Sequence, residues 1–172
     1  MPKRLKIISE NCIGCKSCEL ACSLKNSGEM NQTRSRITEI TFIEGKYSLP
    51  YNFVSTCRQC ADAPCLHSCP VAAITRTVVG KVVIIDHKKC IGCGKCIFAC
   101  PFGAMLFNSS TRKAFKCELC AGNPACASIC PTDAILFKYA KPFYAKAEDL
   151  KMKGIEILSQ QNLANLKNRQ KN

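Results

Sequence analysis

Apolar and β-branched positions along this chain fall into short segments that predict strands joined by turns. Segments 36–43 and 46–54 are rich in β-forming residues and flank Glu44-Gly45, a pattern that predicts a hairpin. Two shorter hairpins are predicted further along. They involve residues 78–82 and the pair of segments 104–107 and 113–115. Short hairpins joined by short helices predict an α+β fold.

The end of the chain carries a weak helical pattern between residues 145 and 168. Its apolar positions are Leu150, Met152, Ile155, Ile157, Leu158, Leu163 and Leu166. Such a stripe is buried either against the body of the protein or against a partner subunit, and the pattern leaves both open. Elsewhere the longest dense apolar run is Val82–Ile85, far shorter than the roughly 20 residues that cross a bilayer.

Sixteen of the 172 residues are cysteine, a proportion typical of disulfide scaffolds in secreted chains and of metal proteins. Residues 1–10 begin with a basic stretch, but their apolar part is too short for a signal peptide, and no twin-arginine pair precedes a hydrophobic segment. We therefore expect a cytoplasmic protein whose cysteines bind metals. Export of the folded chain on a partner's signal stays an alternative.

The cysteines fall into four groups of four, with none left over. The groups are Cys12, Cys15, Cys18 and Cys22; Cys57, Cys60, Cys65 and Cys69; Cys90, Cys93, Cys96 and Cys100; and Cys117, Cys120, Cys126 and Cys130. Groups one and three have the C-x2-C-x2-C-x3-C spacing in which three thiolates hold one cluster and the fourth holds another. Groups two and four widen the second gap. The spacing predicts four [4Fe–4S] clusters with all sixteen cysteines as ligands.

Residues beside the cysteines fit the wrapping of a loop around a cluster. Glycine occupies positions where the backbone must bend closely. These glycines are Gly14, Gly92 and Gly94. Proline follows the fourth cysteine of three groups, at Pro70, Pro101 and Pro131, and favours the start of a short helix there. Group one has Ser23 instead, so its flanking segment is expected to continue differently.

Groups one and two form a unit that groups three and four repeat. Residues 12–22 and 90–100 match at seven of eleven positions, and groups two and four share a similar run. The spacer inside the first unit is 18 residues longer than that inside the second. The surplus falls in residues 24–56, where the longest hairpin is predicted.

The formal net charge of +13 first suggests nucleic acid or an anionic membrane as a partner. Four oxidised clusters with their thiolates would lower this charge to about +5, and full reduction would lower it to about +1. Much of the basic excess therefore compensates the cofactors, and we expect no nucleic-acid partner. The remaining positive charge is concentrated in residues 141–172.

Other uses of the cysteines fit less well. Structural zinc pairs two separated C-x2-C units and has no use for a third cysteine at the same spacing. Disulfides are disfavoured by the clustered spacing and the expected reducing compartment. A radical-forming cluster would need C-x3-C-x2-C, a triplet that does not occur in the chain.

These motifs resemble the four-cluster, ferredoxin-like electron-transfer subunits of large redox enzymes. The resemblance covers residues 7–138. It rests on C-I-G-C-K-S-C-E-L-A-C, on C-R-Q-C-A-D-A-P-C-L-H-S-C-P, on C-I-G-C-G-K-C-I-F-A-C-P-F-G-A, and on K-C-E-L-C followed by N-P-A-C-A-S-I-C-P-T-D-A-I. It implies two bacterial-ferredoxin-like halves around four cubane clusters, with a β-hairpin insertion and a C-terminal helical tail.

The resemblance also implies a nested pairing of the cysteine groups. The four ligand sets are then Cys12, Cys15 and Cys18 with Cys130; Cys117, Cys120 and Cys126 with Cys22; Cys57, Cys60 and Cys65 with Cys100; and Cys90, Cys93 and Cys96 with Cys69. One half comprises residues 1–23 and 103–140. Residues 24–56 are the insertion, residues 57–102 are the second half, and residues 141–172 are the basic tail.

The function implied is a one-electron relay without catalytic residues of its own. It would serve a catalytic subunit (carbon monoxide dehydrogenase, a tungsten or molybdenum aldehyde or formate oxidoreductase, or a hydrogenase) and a downstream electron acceptor. Self-association through the tail stays open.

Two other functions fit the residues less well. A cluster-based sensor that binds DNA is disfavoured by the compensated charge and by the absence of a helix-turn-helix pattern. An autonomous enzyme is disfavoured because no nucleotide-binding loop, flavin fingerprint or nucleophile–base pair occurs. His67 lies between two group-two ligands and either tunes that cluster or is a surface side chain. The surface role is favoured because no ligand position is empty.

Overall fold

The computed structural model describes residues 1–43, 50–141 and 143, and within these ranges it has eight short strands, four α-helices and three 3-10 turns at Ser9–Asn11, Gln32–Arg34 and Leu119–Gly122. The strands are β1 (Lys3–Ile7), β2 (Ile37–Phe42), β3 (Tyr51–Thr56), β4 (Ile74–Arg76), β5 (Val83–Ile85), β6 (Leu106–Asn108), β7 (Lys113–Phe115) and β8 (Ile135–Tyr139). The helices are α1 (Ser17–Ser27), α2 (Pro64–His67), α3 (Lys95–Phe98) and α4 (Ala125–Ile129). Such small sheets and helices agree with the predicted α+β class.

Each of the four sheets is an antiparallel pair of strands. The longest predicted hairpin is present as β2 and β3, in the register Ile37↔Thr56, although β3 begins at Tyr51, later than expected. Its predicted turn at Glu44-Gly45 lies outside the described residues, as does the helix predicted within the tail.

The two shorter hairpins are also present, with one change of position. Strands β6 and β7 pair as expected. In the other hairpin, residues 78–82 form the loop, and the strands are the flanking segments β4 and β5. The prediction placed strands at Val78 and Val79, but these two side chains are 95% and 87% exposed. The apolar residues that build this sheet are the buried Ile74, Val83 and Ile85.

The pairing of β1 with β8 joins the two ends of the described chain and was not expected from the sequence. Ile7 pairs with Ile135, and the backbone N–H of Ile8 extends the contact by donating to the Ala134 carbonyl over 2.9 Å. The Lys3 ammonium also lies 5.2 Å from the centre of the Tyr139 ring, a cation–π contact. This sheet brings the first and last cysteine groups together.

The helices differ in length. As predicted, the helix of group one, which has Ser23 after its fourth cysteine, continues differently from the helices of the three groups that have proline there. Helix α1 runs for 11 residues, through Cys22 and Ser23, and ends at a left-handed Gly28. Helices α2, α3 and α4 have only four or five residues each. The expectation that proline would start a helix is wrong. Pro70, Pro101 and Pro131 stand in turns after the short helices, because proline cannot continue a helix that reaches it.

Apolar side chains form small separate cores in which cysteine is a regular member. One core contains Ile37, Val54 and Ile135 with Cys18, Cys22 and Cys126. A second contains Ile74, Val83, Ile85, Ile97, Met105 and Phe107 with Cys96. Residues 103–140 therefore divide between separate cores, since Met105 and Phe107 pack with residues of the 57–102 segment while Ile135 packs with α1 and β2.

Candidate metal centres

The four cysteine loops share one backbone feature. The residue before the second cysteine has a left-handed conformation in every group, with φ of +68° at Gly14, +53° at Gln59, +67° at Gly92 and +60° at Leu119. This turn bends each loop back on itself, so that its first three cysteines can face a common interior. The predicted need for close bending at Gly14 and Gly92 is confirmed.

Groups two and four reach the same turn without glycine. Gln59 and Leu119 are both buried, and a left-handed backbone costs a residue with a Cβ about 1–2 kcal/mol. In group four the left-handed run continues through Cys120 and Ala121, with φ of +47° and +54°. Burial of the side chain, rather than backbone preference, therefore stabilises these two loops.

Three cavities are each lined by four cysteines, three from one group and one from another. The first is lined by Cys57, Cys60, Cys65 and Cys100, the second by Cys69, Cys90, Cys93 and Cys96, and the third by Cys12, Cys15, Cys18 and Cys130. Each encloses a similar small volume of about 20 Å³. We call these the Cys57, Cys90 and Cys12 sets, after the first cysteine of the group that gives three members.

The remaining four cysteines lie together as well. Burial raises the pKa of Cys126, and repulsion from Cys117, Cys22 and Cys120 adds to it. The Asn26 amide nitrogen lies 3.6 Å from the Cys22 sulfur and 3.9 Å from the Cys120 sulfur. Helix α1 supplies Cys22 to this arrangement, which we call the Cys117 set.

The four sets follow one another through pairs of nearby cysteines. Repulsion from Cys18, a member of the Cys12 set, adds to the raised pKa of Cys126. The main cause of a raised pKa at Cys117 is burial, and Cys57 contributes next. At Cys96, burial is likewise the main cause of the raised pKa, and repulsion from Cys65 contributes next. The order is therefore Cys12, Cys117, Cys57 and Cys90 sets. Each of the two outer sets contains an exposed cysteine, Cys15 and Cys93.

Several backbone N–H groups donate to sulfur. The Arg36 N–H lies 3.3 Å from the Cys22 sulfur, and the Ala73 N–H lies 3.3 Å from the Cys69 sulfur. Backbone hydrogen bonds from Phe102, Ala104 and Met105 also lower the pKa of Cys100, although burial raises it overall. Such bonds stabilise the thiolate form that binds iron and tune the potential of a bound cluster.

The donor set fits iron–sulfur clusters. All sixteen cysteines are free thiols, and burial raises the pKa of Cys18, Cys60 and Cys96 to about 12. Buried thiols crowded in this way ionise only if a cation stabilises them, which is what metal binding does. Within the described ranges, no three His, Cys, Asp or Glu side chains converge on one point as ligands of a single ion do. Thiols arranged around a cavity suit a polynuclear cluster better than zinc.

Polar residues that the sequence reasoning did not single out lie beside these sets. Glu39 is buried and lines the Cys12 cavity, where the Lys16 ammonium lies 3.3 Å from its carboxylate. Glu19 accepts a 2.6 Å hydrogen bond from the Glu39 backbone N–H, and burial raises the pKa of Glu19. Lys116 lines the Cys57 cavity. In the sequence, the signal that could have identified Glu19 and Lys116 is that each is adjacent to a cysteine.

The favoured interpretation of His67, a surface side chain, agrees with its exposure. Within the part of the chain that the structure describes, no helix has the length and apolarity needed to cross a membrane.

Comparison with known proteins shows the family to which this chain belongs. Residues 47–140 match the 4Fe-4S dicluster domain family, and residues 9–29 match a 4Fe-4S binding domain. The chain is 37% identical to the electron transport protein HydN of Escherichia coli K12 over 149 residues, 74% of this chain and 83% of that one. It is 36% identical to the thiosulfate reductase electron transfer subunit PhsB of Salmonella typhi over 137 residues, 74% and 71% of the two chains.

A third relative comes from an archaeon. The polyferredoxin-like subunit of the aliphatic sulfonate oxidoreductase of Pyrococcus furiosus is 36% identical over 124 residues, which cover 72% of this chain and 69% of that one.

Proposed function

Because this chain belongs to the family of 4Fe-4S dicluster proteins, we propose that it is a one-electron relay that holds four [4Fe–4S] clusters and serves as the electron-transfer subunit of a larger oxidoreductase. The observation that carries the proposal is the grouping of all sixteen cysteines into four sets of four. Three of these sets surround cavities of similar volume. A chain with fewer clusters would leave buried thiols without a role.

The proposed ligand sets are the four defined above, so the pairing is the nested one that the family resemblance implies. In each set, three cysteines come from one left-handed loop and the fourth comes from a distant group. The sheet of β1 and β8 supports the pairing of Cys12 with Cys130, since it joins the chain ends that carry them. Helix α1, packed on α4, supports the pairing of Cys22 with Cys126.

We also propose two ferredoxin-like halves, each with two ligand sets. Residues 1–23 with α4 and β8 would form the half that carries the Cys12 and Cys117 sets. Residues 57–102 would carry the Cys57 and Cys90 sets. The β6–β7 hairpin packs with this second half through Phe107 and Ala114, so we place the boundary after the hairpin rather than at residue 103. The β2–β3 hairpin of the 24–56 insertion packs through Ile37 and Val54 against cysteines of the first half.

The protein's own residues hold the clusters, exclude water and set the environment. A bound [4Fe–4S] cluster supplies a centre that accepts and releases one electron. Apolar side chains such as Met105 and Ile135 line the cavities beside the thiols, which keeps water away and lowers the local dielectric. The order of the sets makes a continuous series from Cys15 at one surface to Cys93 at another.

The surface beside each outer set is apolar. Ile13 lies next to the Cys12 loop turn and is 63% exposed, and Ile91 has the same place in the repeat and is 59% exposed. We propose that electrons enter and leave at these two surfaces, one facing a catalytic subunit and the other facing an electron acceptor.

The partner is proposed as the catalytic subunit of an oxidoreductase. Relatives named as subunits of thiosulfate reductase and of an aliphatic sulfonate oxidoreductase support this class. They extend the candidates beyond carbon monoxide dehydrogenase, aldehyde or formate oxidoreductase, and hydrogenase. We propose a cytoplasmic location, because free cysteines that serve metals suit a reducing compartment.

Iron and acid-labile sulfide should be measured on anaerobically purified protein, with EPR spectra before and after dithionite. We expect about sixteen iron and sixteen sulfide per chain, and reduced spectra broadened by interaction between neighbouring clusters. About eight iron per chain, or stoichiometric zinc, would contradict the four-cluster relay. Catalytic turnover by the isolated chain would contradict the absence of an active site of its own.

A further inference from the structure

Among the described residues, Lys116 is the largest side chain that is almost completely removed from solvent, with 1% of its surface exposed. Its ammonium donates to the carbonyl oxygens of Val83 and of Cys117, the latter over 3.0 Å. Val83 belongs to the hairpin beside the Cys57 set, and Cys117 belongs to the neighbouring set. Lys116 therefore lies at the contact between the two middle sets of the series.

No carboxylate pairs with this ammonium within the described ranges. A buried cation without a counter-charge is costly, and two carbonyl dipoles compensate it only in part. Lysine is rarely buried completely unless it is paired. Its place therefore indicates that a negative group belongs nearby in the functional protein.

The Cys57 cavity supplies a place for that negative group. Lys116 lines the cavity together with the four cysteines of the set. At Cys65, burial raises the pKa to about 11 and repulsion from Cys57 adds to it, while the Lys116 charge opposes both. The Lys116 charge therefore acts electrostatically on a thiol that lines this cavity.

Other charges around the same set are more exposed. Arg58 also lines the cavity, but it is half-buried, as are Arg4 and Arg76, and the carboxylate of Asp62 is at the surface. Arg76 is also engaged with the carbonyl oxygens of Cys60 and Ala61, at 2.9 and 3.0 Å. Solvent screens such charges, whereas a fully buried charge acts through a low dielectric. Lys116 is therefore the most deeply buried charge at this cavity among the described residues.

We propose that Lys116 is the counter-charge of the cluster held by Cys57, Cys60, Cys65 and Cys100, and that it raises the reduction potential of this cluster selectively. When the site takes up one electron from a low-potential donor, its total charge becomes more negative by one, and a fixed positive charge beside it favours that state. The proposal rests on the proposed function, since it needs a cluster at this set. It requires no change in the protonation of Lys116.

The test is Lys116→Met, which removes the charge and keeps most of the side-chain volume. Midpoint potentials of all clusters are measured by EPR-monitored titration of the anaerobic protein. We expect one of the four midpoints to fall by at least about 59 mV, a tenfold loss in the equilibrium constant for one-electron reduction. The other three should move much less. Iron and sulfide analysis of the same samples reports on the four-cluster proposal independently.

A control variant separates charge at the cavity from a general loss of positive charge. Lys113→Met removes a partly exposed ammonium that donates to the His87 carbonyl. This variant should leave every midpoint close to that of the wild type.

A full complement of iron in Lys116→Met with unchanged midpoints would overturn the proposal, and so would an equal shift of all four. If this variant does not retain its iron, Lys116→Gln is used instead, because its neutral amide removes the charge but keeps a donor for the buried carbonyl oxygens. We expect a single midpoint to fall, and unchanged midpoints in loaded Lys116→Gln would overturn the proposal. Wild-type protein with fewer than four clusters would refute the proposed function, not the role of Lys116 as such.

Discussion

Gly92 lies directly against the backbone carbonyl of Arg112. A Cβ atom at residue 92 would stand 1.9 Å from this oxygen, a distance that no real contact allows. The loop of group three can approach the β6–β7 hairpin this closely because residue 92 has no Cβ atom. At Gly14, the equivalent position of group one, a Cβ would meet the Asn52 side-chain oxygen at 3.0 Å.

Gly92→Ala is expected to disrupt the Cys90 set far more than Gly14→Ala disrupts the Cys12 set. Both substitutions carry the same cost of a left-handed backbone, about 1–2 kcal/mol. Only Gly92→Ala must also displace a backbone carbonyl, whereas the Asn52 side-chain oxygen at 3.0 Å need move by only a few tenths of an ångström. Iron analysis should show a loss of roughly four atoms per chain in Gly92→Ala and near-complete loading in Gly14→Ala.

Gly14→Ala is the matched control for Gly92→Ala, since φ is +68° at one position and +67° at the other. Equal iron loss in the two variants would mean that backbone strain alone decides, and that the contact with Arg112 is unimportant.

Nested pairing predicts which cysteine substitutions act on the same cluster. Cys12 and Cys130 line one cavity although they are far apart in the chain, whereas Cys126 lies near Cys130 in the chain and belongs to another set. The double variant Cys12→Ala/Cys130→Ala should lose about as much iron as either single variant, roughly four atoms. Cys126→Ala/Cys130→Ala should lose about twice as much.

For both double variants, the measured quantities are iron per chain and the number of EPR-active clusters. Independent sites add their effects, and shared sites do not. Additive loss in Cys12→Ala/Cys130→Ala, with a shared loss in Cys126→Ala/Cys130→Ala, would show that each group holds a cluster of its own.

Local spacing predicts which cysteines lie together on one loop, because two- and three-residue gaps fix which thiols that loop can present; their assignment as cluster ligands stays a prediction. The turn glycines Gly14 and Gly92 were found for the same reason. Hairpins β2–β3 and β6–β7 were predicted from β-forming segments close together in the chain. At residues 78–82 the pattern misled, because exposed valines of a loop resemble a strand in composition.

Contacts between distant segments could not be predicted in this way. Strands β1 and β8 are short, carry several lysines and arginines, and lie at opposite ends of the described chain. Their pairing depends on how the cysteine groups meet. The burial of Lys116 is likewise invisible in the sequence, where a lysine beside a cysteine resembles the other solvated lysines of a basic chain.

The metal-free, reduced chain should lose stability at alkaline pH, and the cluster-loaded protein should not. Burial raises the pKa of Cys18, Cys60 and Cys96 from 9.0 to about 12. Between these values the unfolded chain has released the thiol protons and the folded chain still binds them, so the free energy of unfolding falls as pH rises. As ligands of the proposed clusters, the same sulfurs would already be deprotonated in the loaded protein. Urea unfolding followed by circular dichroism from pH 8 to about pH 12 measures both forms. The midpoint should fall steeply above about pH 9 only in the metal-free chain, and a parallel fall in both forms would show that the buried thiols are not the cause.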